Sequence, residues 1–61
     1  MPYIDFYRRG RIIWTANYAS MTAAKPSLRP SFEYHHRVDG IDRAVLRDDD
    51  GNVKRELPQK S

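Results

Sequence analysis

With 61 residues the chain has room for one domain, and a chain of this size buries only about 60% of its unfolded surface, so its core must be thin. It has no cysteine, which excludes a disulfide framework and a thiolate zinc site, and no apolar run near the length of a membrane span. A formal charge of +3 and a pI near 9.6 conceal an imbalance, since residues 1–30 carry five basic groups against Asp5 alone while residues 31–61 carry six against seven acidic ones.

The basic first half points toward an anionic partner. Met1 leads directly into a strand-like segment without a signal-peptide pattern, so the expected compartment is the cytoplasm and no membrane partner is expected.

Tyr3 to Arg8 and Arg11 to Tyr18 read as two strands around Arg9-Gly10. A three-residue turn with Gly10 in a left-handed bulge aligns Ile12 with Phe6 and Trp14 with Ile4. That register gathers Ile4, Phe6, Ile12, Trp14, Ala16 and Tyr18 on one face. Asp5, Arg11, Thr15 and Asn17 fall on the other, together with Tyr3, Tyr7 and Ile13. Ser20 to Lys25 fits a short helix or loop with Ser20 as its cap. Lys25 precedes Pro26 and is steered out of the helical region, so Pro26 to Pro30 is expected as a stiff, extended connector.

Phe32 to Val38 alternates apolar and polar residues, which favours a third strand over a helix capped by Ser31 and ended by Gly40. Asp39-Gly40 suits a two-residue hairpin turn that pairs Val38 with Ile41. Asp48 to Gly51 suits a type I turn closed by a left-handed Gly51, pairing Arg47 with Val53, Val45 with Arg55 and Arg43 with Leu57. One face of this meander then holds Phe32, Tyr34, Val38, Ile41, Val45, Val53 and Leu57, and the other leaves only Ala44 and Leu46 as apolar residues. A hairpin and a three-stranded meander can bury their apolar faces only against each other. The expected fold is mostly β: one domain over residues 1–61, a small five-stranded barrel-like or two-layer antiparallel sheet, with a frayed tail at 58–61.

Arg8, Arg9 and Arg11 cluster at a hairpin tip beside Tyr3 and Tyr7. Guanidiniums at such a tip suit phosphates, and tyrosines on the adjoining face suit stacking on bases. The plainer reading is that charge at a turn keeps the hairpin soluble and its edge unpaired. The strand-turn-strand segment FYRRGRIIWTANY resembles the N-terminal arm-binding domains of phage-type integrases, which read DNA with a sheet. Those domains continue with a third strand and then a helix, where this chain has its proline-rich stretch.

His35-His36 cannot chelate one ion from a strand, where neighbours point to opposite faces. Asp48 to Asn52 has the composition of a calcium loop, but Leu57 stands where the closing glutamate belongs. No catalytic constellation, cofactor or metal is implied, and enzyme activity is not expected. The first functional expectation is nucleic-acid binding through Arg8, Arg9, Arg11, Tyr3 and Tyr7. The alternative is a protein-interaction module, an inhibitor, adaptor or self-associating subunit, using Tyr3, Tyr7, Ile13 and the exposed edge strands; there the partner is a protein or a second copy in a homo-oligomer.

Overall fold

The computed structural model describes residues 1–58 and shows a mostly β chain: one antiparallel sheet with one helix laid across it. The elements are β1 (Tyr3–Arg8), β2 (Arg11–Asn17), α1 (Met21–Asp39), β3 (Arg43–Arg47) and β4 (Val53–Leu57), and the sheet order is β2-β1-β3-β4. The antiparallel sheet matches the sequence expectation. The strand count among the described residues is four, and the second layer is the helix instead of a second sheet. Of the tail expected to fray, residues 59–61 lie outside the described residues.

Phe32 to Val38 is the main correction. It forms the last half of α1, and residues 21–25 and the proline stretch belong to the same helix. Ser20 caps it as expected, its Oγ accepting from the Ala23 N–H at 3.2 Å. The helix then runs through Pro26 and Pro30. Each proline withholds one helical N–H, and its ring crowds the preceding turn. Both sit on the exposed side, where the orphaned carbonyls of Thr22 and Pro26 can meet water.

Packing explains why the helix persists. Ala24, Leu28 and Phe32 recur every fourth residue, forming a stripe that closes on Ile4, Phe6, Ala44, Leu46 and Leu57 of the sheet. Tyr34 and Val38, assigned to the core by the alternating pattern, are exposed. Gly40, expected in a hairpin turn, instead ends the helix at φ 70°, and its N–H and that of Ile41 both reach the His35 carbonyl.

The registers also shift. Arg9 and Gly10 both have positive φ (52° and 81°), as a two-residue type I′ turn requires, and Arg8 pairs with Arg11. A bulge then inserts Ile13, so Ile12 pairs with Tyr7 and Trp14 with Phe6. The expected pairings of Ile12 with Phe6 and Trp14 with Ile4 do not form. In the second hairpin Arg47 does face Val53 and Gly51 is left-handed at φ 86°, but another bulge pairs Val45 with Glu56 and Ala44 with Leu57. Ala44 and Leu46, expected outside, face the helix and are core, and Val53 is exposed. Trp14 and Val45, expected in one core, are in separate environments: Trp14 is 58% exposed and Val45 is fully buried on the sheet face away from the helix. The helix covers Ala44 and Leu46, and side chains of the sheet itself enclose Val45 on the other face, so three consecutive residues are buried.

Candidate functional site

The helix packs on β1 and β3, which leaves the opposite face of the sheet without a covering layer. Alternation on β1 sends Tyr3, Asp5 and Tyr7 to that face, and cross-strand pairing adds Asn17 and Thr15 from β2 and Arg47, Val45 and Arg43 from β3.

A polar lattice covers its centre. Asp5 is buried, accepting from Thr15 Oγ1 at 2.8 Å and from Arg47 Nε at 3.1 Å. Arg47 also donates from Nη1 to the Gly51 carbonyl at 3.0 Å and from Nη2 to the Tyr7 hydroxyl at 3.1 Å. The Tyr7 hydroxyl, accepting this bond, raises the Arg47 pKa above its ordinary value; burial opposes the shift and Asp5 adds to it. Arg43 lies over the Tyr7 ring, its guanidinium carbon 5.1 Å from the centroid, and donates to Glu56 at 2.9 Å. These bridges pass on either side of Val45, which accounts for a buried valine on a face that carries no second layer.

The hairpin tip stands beyond this lattice. Arg8, Arg9 and Arg11 are exposed, and among the described residues none of their guanidiniums forms an ion pair. The tip is held in place by Asp42, whose carboxylate accepts from the Arg9 backbone N–H at 3.0 Å and whose own N–H reaches the Tyr7 carbonyl at 2.9 Å.

The five residues named for nucleic-acid binding thus divide into a free cationic tip and two half-buried tyrosines on the adjoining face. The hydroxyl of Tyr7 and one side of its ring are already engaged by Arg47 and Arg43. Tyr3 extends its hydroxyl over Gly51, within 3.5 Å of where a side chain there would begin. Ile13 is 44% exposed at the bulge. Sequence reasoning missed Arg43 and Arg47, because it turned β3 over by one residue. The run Ala44-Val45-Leu46 was the available signal, since it marks a central strand whose alternation cannot be read from apolar residues alone.

The histidines serve the helix. His35 packs its ring on Phe6, 4.6 Å between centroids, and its Nδ1 lies 2.7 Å from Asp39. His36 donates from Nδ1 to the Ile41 carbonyl at 2.7 Å, a proton position required because a carbonyl can only accept. Among the described residues no group of three or more His, Asp or Glu gathers as a metal site, and no helix is long and apolar enough to cross a membrane. Comparison with protein-family models, with curated proteins and with solved structures gave no match to this chain.

Proposed function

We propose that the chain binds nucleic acid through the uncovered sheet face, with Arg8, Arg9 and Arg11 on phosphates. The observation that carries this reading is a tip of three exposed arginines, without an ion pair among the described residues and fixed by Asp42 where β1 turns into β2. Phosphate contacts at such a tip position the protein, and side chains on the uncovered sheet face beside it are left to meet the bases. Tyr3 stacks or packs at the periphery. Tyr7 holds Arg43 and Arg47 in place, so its effect on binding passes through them.

The test is fluorescence anisotropy of a labelled duplex between about 50 and 200 mM salt. Affinity should fall steeply with salt, and changing Arg8, Arg9 and Arg11 to Ala should flatten the slope by about 0.9 for each phosphate that is no longer neutralised. An unchanged slope in the triple variant sinks the proposal.

The competing reading, a protein-interaction surface on Tyr3, Tyr7 and Ile13, is favoured by the exposure of Ile12 and Ile13 beside Tyr7. It requires Tyr7→Ala to weaken a protein complex equally at low and high salt.

A further inference from the structure

The two edges of the sheet differ in chemistry. Among the described residues β4 carries Lys54, Arg55 and Glu56 in succession, with Lys54 near Asp48 and Glu56 on Arg43, the charged edge that discourages strand addition. β2 is uncharged from Ile12 to Asn17 and exposes three large apolar residues in a row, Ile12, Ile13 and Trp14. The helix packs on β1 and β3, so Trp14, paired with Phe6 on the helix side, stands beyond its cover.

We infer that β2 is a self-association edge, pairing antiparallel with β2 of a second copy of this chain around a two-fold axis at Thr15. Regular pairing stops at the bulge, leaving Trp14 to Asn17 as the even stretch. Of the residues inside it, Thr15 is the axis position that sets the large Trp14 against a small residue. A two-fold axis normal to the sheet reverses the strand and keeps its faces, so only residues of the same face meet. Trp14 then lies opposite the partner's small Ala16, and Ile13 opposite the partner's Asn17. Arg11 falls outside the paired stretch, so no like charges are brought together. Both helices come to lie on one side of a continuous eight-stranded sheet, and the two Trp14 rings occupy the trough between them. The seam is short, well under the roughly 1,600 Å² of a standard interface, so the dimer forms and dissociates with concentration. This inference is independent of what the sheet face binds.

Trp14 is the chain's single tryptophan, so its emission reports the seam directly. Sedimentation and fluorescence of the full chain, followed together from micromolar to millimolar concentration, should show dimer formation with a matching blue shift of Trp14. Trp14→Lys should weaken association by about tenfold or more, while Arg55→Glu on the opposite edge leaves it unchanged. Circular dichroism checks that Trp14→Lys folds; should it not, Ile13→Lys replaces it with the same expected weakening. A chain that stays monomeric throughout, a dimer whose Trp14 emission does not move, or a dimer sensitive to Arg55→Glu and not to the β2 substitution overturns the inference.

Discussion

Arg47 donates from Nε to the buried carboxylate of Asp5 at 3.1 Å, tying the two central strands together from the side the helix does not reach. Among the described residues no other ion pair joins β1 to β3. Arg47→Ala leaves Asp5 with the Thr15 hydroxyl and the Tyr7 hydroxyl without its donor. Breaking a fully buried pair costs about 3–5 kcal/mol, and the partial exposure of Arg47 brings the expectation down to about 2 kcal/mol. Urea unfolding measures it, and the Asp5→Ala, Arg47→Ala double variant should lose less than the sum of the singles.

The prolines of α1 make an opposite prediction. Pro30 is exposed and withholds an N–H from the Pro26 carbonyl. Pro30→Ala restores that bond and removes the ring clash, while giving back some entropy to the unfolded chain. The net expectation is a gain of about 1–2 kcal/mol, seen as a higher thermal midpoint. A loss would mean that the fixed φ of Pro30 itself helps seat Phe32 against the sheet.

Gly40 separates the helical reading of this segment from a hairpin. A Cβ at Gly40 meets nothing within 4 Å, so Gly40→Ala carries only the left-handed backbone cost, about 1 kcal/mol. Gly40→Asn should cost less, because asparagine tolerates a left-handed helix end. Paired denaturation curves of the two variants check the order.

Asp48 sets an acid limit. Its carboxylate accepts from the backbone N–H of Asn52 at 2.9 Å and of Asp50 at 3.0 Å, with Lys54 nearby, and the Asn52 bond foremost holds its pKa below the ordinary value. The folded pKa being the lower one, this stabilisation is complete above the unfolded pKa and is lost as pH falls through the folded one. Thermal midpoints should therefore decline on acidification, and Asp48→Asn should make that decline shallower.

What the sequence discloses here depends on whether a local signal has one meaning or two. Ser20 as a cap has one, and it stands in the structure; Arg9-Gly10 and Asp48 to Gly51 do mark turns, but the first closes in two residues where three were expected. Gly40 has two, since a left-handed glycine closes a hairpin or a helix equally well. Phe32, Tyr34, His36 and Val38 alternate, yet Ala24, Leu28 and Phe32 also repeat every four residues, and the prolines between them hid that longer period. The two bulges were the other obstacle. Each slips one strand against its neighbour, Ile13 in β2 and Lys54 in β4, while Val45 and Leu46 exchanged faces because the helix covers the side of Ala44 and Leu46. The arginine tip was legible because exposure at a tight turn needs no register; the Arg43, Tyr7 and Arg47 lattice was not, because it exists only once β3 lies beside β1.

That β1 occupies an interior place in the order β2-β1-β3-β4 shapes how the chain can be made. Within this sheet, β1 has one neighbour ready within a few residues and must wait for the other until α1 has passed. Until then its inner flank is an open template, sticky toward any extended segment it meets. Fragments ending before Arg43 should thus precipitate instead of folding by halves, and the sheet closes only once β3 is present.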